Sequence, residues 1–73
     1  MYVVRLQIDD QVPNLKAFDN RPAAMARFLI GRLRVKAGEM RRATVFEVRA
    51  ADSPTAIAMV KSGKANLIDS FPD

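Results

Sequence analysis

Arginine is concentrated in the middle third of this sequence, and its guanidinium group is well suited to recognising anions. Between residues 21 and 49 there are eight basic residues, seven of them Arg, against two acidic residues, a local charge excess of +6. Guanidinium groups donate paired hydrogen bonds to phosphate and carboxylate groups, so this region is a candidate surface for an acidic protein or nucleic acid. An ordinary solvated helix face is the alternative, because arginine stems cover apolar surface well. The candidate residues are Arg27, Arg32, Arg34, Lys36, Arg41 and Arg42.

The aromatic residues do not favour the recognition of bases. Phe18, Phe28 and Phe46 occupy positions typical of a core, and Tyr2 lies at the start of the first predicted strand. RNA-binding sheets carry spaced aromatic side chains on an exposed face, and that pattern is missing from this sequence. We therefore expect a protein partner first and nucleic acid second.

The residue types on which most enzymes and many metal sites depend are missing. The sequence contains no Cys and no His, which excludes thiol nucleophiles, histidine bases and metal sites built on nitrogen or sulfur. The adjacent carboxylates of Asp9 and Asp10 lie in a predicted turn, where neighbouring side chains point in different directions. The Ser-Gly-Lys run at 62–64 lacks the glycine-rich loop that binds phosphate. We therefore predict a protein that is not an enzyme and has no cofactor, no metal site and no small-molecule substrate.

The length of the chain limits its stability. Its 73 residues predict a single small domain over 1–73, which buries only about 60–65% of its unfolded surface. Without disulfides or metals, we expect support from association, either as a homodimer or with a different protein. No apolar run approaches the ~20 residues that span a bilayer. The first ten residues also lack the features of a secretory signal, so we expect a cytoplasmic protein without membrane contact.

The most complete structural pattern covers residues 44–63. Alternating side chains from Thr44 to Ala50 predict a half-buried β-strand. Ser53 is then positioned to cap a helix, with Pro54 at the first helical position. Gly63 is suited to the left-handed conformation that ends such a helix. A strand followed by a short helix is therefore predicted here.

The first half of the chain contains two further strands and a longer helix. Alternation predicts a strand over 2–8, and a turn separates it from a short returning strand over 15–18. Asn20 or Asp19 is expected to cap the first helix, which extends from Pro22 to Val35.

The core-facing side of this first helix is predicted from its large apolar residues. They recur at spacings of three and four residues, as expected for one side of a helix. Arg27, Arg34 and Gly31 fall on the predicted outer side, where glycine costs about 1 kcal/mol relative to alanine. The predicted core-facing stripe consists of Met25, Phe28, Leu29 and Leu33, with Ala26 and Ile30 at its edges.

A short strand over 64–69 completes the predicted elements. Their order predicts an α+β fold, a two-layer sandwich with two helices on one face of a three- to four-stranded, mainly antiparallel sheet. A ferredoxin-like variant is the favoured topology. The sheet face away from the helices is then predicted to carry Val3, Arg5, Gln7, Val45, Glu47 and Arg49.

Surface charge on a small fold is the main functional signal in this sequence. It favours a non-catalytic module that binds a protein partner or associates with itself. The exposed sheet face and an edge strand are further places where a partner can bind. The alternative is an accessory nucleic-acid-binding protein that uses the Arg-rich helix and the connection over 34–42.

Overall fold

The computed structural model describes residues 1–72, in which four strands and two helices are formed. β1 and β2 form a hairpin around the predicted turn, in which Asp9 has a φ of 46°. The elements in chain order are β1 (Tyr2–Gln7), β2 (Asn14–Phe18), α1 (Arg21–Lys36), β3 (Arg42–Glu47), α2 (Ser53–Lys61) and β4 (Asn66–Phe71).

All neighbouring strands pair antiparallel, in the order β2-β1-β3-β4. β1 and β3 are the central strands, and Val4 of β1 lies opposite Val45 of β3. A register shift between Val45 and Phe46 interrupts the pairing of β3 with β4. Within residues 1–72, β2 and β4 are the edge strands, and the outer side of each has no neighbouring strand.

Each face of the sheet packs against one helix. α1 packs on the face that carries Val4, mainly through Phe28, and we call this side the α1 face. α2 packs on the face that carries Val3, with Val60 in contact, and we call this side the α2 face. Successive side chains of a strand point to opposite faces, yet Val3 is 0% and Val4 only 1% exposed. The sheet is therefore covered on both faces at Val3 and Val4.

The predicted α+β class, the two helices and the antiparallel sheet are confirmed. The prediction places both helices on one face, as in a ferredoxin-like fold, whereas the structure places one helix on each face. The reason is that β1 and β2 are also apolar on their second side, where Val3, Leu15 and Ala17 form a cluster with α2. α2 lies mainly over these two strands, so much of β3 and β4 stays open on the α2 face.

The strand register corrects the composition of the face predicted to lie away from the helices. Val3 and Val45 are predicted there together, but Val45 pairs with Val4 and is buried under α1. Val3 is buried under α2. Alternation predicts which residues of a single strand share a face of the sheet. Which residues of two different strands share a face depends on the register between the strands, and alternation does not give that register.

α1 faces the sheet with a different side from the predicted one. Phe28 is buried and Met25 packs beside the same cluster, as predicted. Leu29 and Leu33 are 49% and 67% exposed, so their assignment to the core is wrong. Ile30, predicted at the edge of the stripe, is also exposed.

Gly31 explains the orientation of α1. This residue is buried, and a Cβ atom here would lie 2.7 Å from Leu6 Cδ2 and 3.0 Å from Ala43 Cβ. The helix therefore approaches the sheet through the small residues Ala24 and Gly31, with Phe28 between them. Because such a close approach needs glycine, the prediction that Gly31 lies on the outer side is wrong.

Both helices begin with a side-chain cap and have proline in the first turn. Asn20 Oδ1 accepts a hydrogen bond from the backbone N–H three residues later at 2.9 Å, as predicted for α1. In α2 the cap is Asp52 rather than the predicted Ser53, and its Oδ1 accepts the equivalent bond at 2.9 Å. Gly63 follows α2 with a φ of 76°, as predicted.

Candidate functional site

An apolar stripe covers the solvent side of α1. Leu29, Ile30 and Leu33 are large apolar residues with exposed side chains, and Ala26 is exposed one turn before them. At about 100° of rotation per residue, these positions lie on the side of α1 opposite to its buried residues. We call Ala26, Leu29, Ile30 and Leu33 the outer stripe.

Basic residues follow both sides of the outer stripe. On one side, Arg32 Cζ and Lys36 Nζ lie 5.0 and 5.6 Å from the centre of the Phe71 ring. Arg27 and Arg34, two turns apart, follow the other side of the stripe. The structure therefore brings four residues of the predicted basic surface together, in two rows with apolar residues between them.

α1 supplies no negative charge to balance these rows. It contains neither Asp nor Glu, and its cations form no ion pair within residues 1–72. Uncompensated charge beside an apolar stripe favours a partner with acidic side chains, because complementary charges align an interface and speed its formation. The basic residues of α1 are Arg21, Arg27, Arg32, Arg34 and Lys36.

A shallow depression lies along one edge of the outer stripe. It has a volume of about 300 Å³ and is lined by Leu29, Leu33, Arg32 and Lys36. The depression places an apolar floor directly beside two cations. This arrangement suits a partner that carries an apolar side chain next to a carboxylate.

The other two residues of the predicted basic surface lie away from α1. Arg41 Nη1 is 3.8 Å from Asp10 Oδ1, and because both side chains are well exposed this ion pair contributes little to stability. Arg42 begins β3, and its Nη1 donates a hydrogen bond to Ser70 Oγ on β4 at 3.1 Å. The predicted surface is therefore divided between α1 and the start of β3 with the connection before it.

The acidic residues form no candidate metal site in the part of the chain that the structure describes. No group of three or more His, Cys, Asp or Glu residues is placed there to hold a metal ion. Hydrogen bonds from the side chain and the backbone N–H of Thr55 keep the pKa of Asp52 below its ordinary value. Asp52 therefore has a structural task, which is to cap α2.

The sequence revealed the cations of this surface but not the apolar residues between them. The size and spacing of Leu29 and Leu33 predict that they belong to the core. Ala24, Phe28, Gly31 and the half-buried Val35 have the same helical spacing, and they form the side that packs on the sheet. A glycine in the middle of that second stripe was the available signal for close packing.

Comparison with known proteins gives no match for this chain. No family model fits the sequence, and no curated protein and no solved structure is significantly similar to it. Neither α1 nor α2 is both long enough and apolar enough to cross a membrane.

Proposed function

We propose that this protein is a non-catalytic interaction module that binds an acidic, amphipathic helix of a partner protein along the outer stripe. The observation that carries the proposal is the exposure of Leu29, Ile30 and Leu33 between two rows of cations. Two helices that pack together contact each other through ridges of residues spaced three or four apart on each helix. Leu29 and Leu33 have this spacing.

The packing of α1 on the sheet does not involve the large residues of the outer stripe. The sheet is covered through Ala24, Phe28 and Gly31 on the other side of the helix. Burial of apolar surface is favourable by roughly 25 cal/mol per Å². A partner helix therefore gains free energy on the outer stripe without competing with the core.

The charge of α1 favours a different protein over a second copy of this chain. If two α1 helices packed together, Arg32 and Lys36 would lie beside the basic residues of the other copy. Like charges placed across an interface oppose association. A helix with Glu or Asp on both sides of its apolar residues would instead pair with both rows of cations.

A synthetic peptide tests the proposal. The probe is a helical peptide with the 16-residue length of α1, carrying leucine on one side and glutamate on both flanks of the leucines. We expect fluorescence anisotropy to show saturable binding to the wild-type protein. Substitution Leu33→Glu is expected to weaken binding at least about tenfold, the typical effect of losing an apolar anchor.

Leu67→Glu is the matched control for this substitution. Leu67 is 63% exposed and Leu33 is 67% exposed, but Leu67 lies on β4. We expect Leu67→Glu to bind the acidic peptide as the wild-type protein does. If Leu33→Glu and Leu67→Glu lost the same amount of affinity for the peptide, the location of the site would be contradicted. If a peptide with lysine in place of glutamate bound as tightly as the acidic peptide, the role of the cations would be contradicted.

Two further measurements separate the other predicted partners. Sedimentation at increasing concentration is expected to show a monomer. If it shows a dimer instead, and Leu33→Glu dissociates that dimer, the outer stripe binds a second copy of the chain. DNA and RNA binding is measured at low and moderate salt. Salt-sensitive binding that Leu33→Ser leaves unchanged would support the nucleic-acid alternative over the proposed one.

A further inference from the structure

The α2 face of the sheet has an open half that holds a second, separate feature. α2 lies mainly over β1 and β2, and beside it the surface of the sheet forms two adjoining depressions of about 520 and 500 Å³. Arg5, Arg42 and Thr44 line both of them. We call this region, centred on Arg5, Arg42 and Thr44, the open half-face.

Thr44 is buried in the open half-face without a hydrogen-bond partner. Thr44 is 3% exposed, and its Oγ1 has no partner within residues 1–72. In the sheet, Thr44 lies between Arg5 on β1 and Ser70 on β4. Buried hydroxyl groups are nearly always hydrogen-bonded, so this one is available to donate to an acceptor.

Two guanidinium groups accompany the Thr44 hydroxyl. Arg5 lies opposite Thr44, and its Cζ is 5.0 Å from the centre of the Phe46 ring, a contact that holds the side chain over the sheet. Arg42 precedes Thr44 by two residues and therefore shares its face. One Nη of Arg42 donates to Ser70 Oγ, which leaves further N–H donors of this guanidinium available. Neither arginine forms an ion pair in the described part of the chain.

The remaining lining of the first depression is mostly apolar. Phe46 and Leu67 form part of it, together with Ile68, Asp69 and Ser70. Asp69 Oδ1 accepts a hydrogen bond from the backbone N–H of Ser70 at 2.8 Å. The open half-face thus combines an excess of positive charge, an unpaired hydroxyl and an apolar wall.

We infer that the open half-face binds a small organic oxyanion, a phosphate or carboxylate group attached to an apolar moiety. Oxygen atoms placed between Arg5 and Arg42 accept charge-assisted hydrogen bonds from both guanidinium groups, and they give the Thr44 hydroxyl its acceptor. The apolar moiety packs against Phe46 and Leu67. This site lies on the opposite side of the sheet from the outer stripe, so it does not depend on the proposed helix partner.

Titrations with phenyl phosphate, benzoate and inorganic phosphate at constant ionic strength test this inference. Two-dimensional ¹H–¹⁵N NMR spectra of the full chain follow the binding residue by residue. We expect saturable shifts in β3, β4 and the middle of β1, with inorganic phosphate weakest because it lacks an apolar moiety. Tighter binding of phenyl phosphate than of benzoate identifies a phosphate ligand, and the reverse order identifies a carboxylate ligand.

Substitutions separate recognition from folding. Arg42→Gln removes charge-assisted hydrogen bonds and is expected to weaken binding of the preferred compound by roughly 10- to 100-fold. Thr44→Val replaces the hydroxyl with a methyl group of similar size, and we expect about fivefold weaker binding without loss of the fold. Arg34→Gln makes the same change of charge on α1 and is the control, with unchanged affinity expected.

Three results would overturn the inference. Shifts that do not saturate would indicate no defined site. Equal losses in Arg34→Gln and Arg42→Gln would indicate general attraction by net charge. If a folded Thr44→Val protein bound the compound with wild-type affinity, the buried hydroxyl would not be part of the site. If Thr44→Val does not fold, Arg5→Gln takes its place, with the same expected loss as Arg42→Gln and with unchanged binding as the contradicting result.

Discussion

The two helices begin in the same way and differ in what they expose. Each starts with a capping side chain and proline in its first turn, and each packs small apolar residues on the sheet. α2 exposes Thr55, Ala58 and Lys61 to solvent. α1 exposes Leu29 and Leu33. Because both helices cover a sheet face, folding alone does not explain the apolar surface of α1, and this difference supports a binding role for the outer stripe.

The comparison also shows that side-chain size does not decide which side of a helix packs on a sheet. α1 uses Ala24 and Gly31 on either side of Phe28, which allows a close approach to Leu6 and Ala43. Larger residues at those two positions would move the helix outward. The distance between helix and sheet is therefore set by the small residues.

The largest expected effect separates the two sides of α1. Phe28→Ala is expected to destabilise the fold by about 3–5 kcal/mol, a large part of the stability of so small a domain. Leu33→Ala should change the free energy of unfolding by less than about 0.5 kcal/mol, since that side chain is exposed. Urea denaturation measures both, and similar losses in the two variants would show that α1 packs through both sides.

A smaller effect tests the close approach of α1. At an exposed helix position, Gly→Ala stabilises by about 1 kcal/mol. At Gly31 we expect the opposite sign, a loss of about 1–3 kcal/mol, because the new methyl group would overlap Leu6 and Ala43. Ala26→Gly on the outer stripe is the control and should cost only the helix propensity. A gain in stability for Gly31→Ala in urea denaturation would contradict the packing described for this helix.

The smallest expected effect separates the two helix caps by their dependence on pH. Asp52 has its pKa lowered in the folded state, so its cap stabilises the fold above its ordinary pKa of 3.8 and loses this contribution as the pH falls below that value. The Asn20 cap of α1 does not titrate. Urea denaturation from pH 7 to pH 3 should therefore show a weaker pH dependence for Asp52→Asn than for the wild type. Identical pH profiles for Asp52→Asn and the wild type would contradict the stabilising role of the ionised Asp52 cap.

Local patterns in the sequence were sufficient to predict the helices and strands of the fold. Alternation predicted β1 and β3, and Asn20 and Gly63 marked a helix start and a helix end correctly. The relation between elements was harder to predict, because the register that pairs Val45 with Val4 depends on contacts between distant segments. The same limit applied to the second helix, whose position on the α2 face depends on the apolar second side of β1 and β2.

The candidate sites were also predictable only where they depend on local sequence. The cations of α1 were evident from composition, whereas the outer stripe depended on the rotation of the helix, which Gly31 sets through contacts with two strands. Thr44 gave no signal in the sequence. Its burial and its unpaired hydroxyl arise only when β1, β3 and β4 are assembled.

Thiol labelling tests most directly whether the outer stripe is exposed in the free protein and covered by an acidic helix. The chain has no native cysteine, so Leu33→Cys and Leu67→Cys each report on one position. We predict that both variants react rapidly when the protein is free. The acidic peptide, at a concentration well above that needed to saturate the wild-type protein, is expected to slow the reaction of Leu33→Cys alone. Slow reaction of Leu33→Cys in the free protein, or a rate that the peptide does not change, would contradict the account.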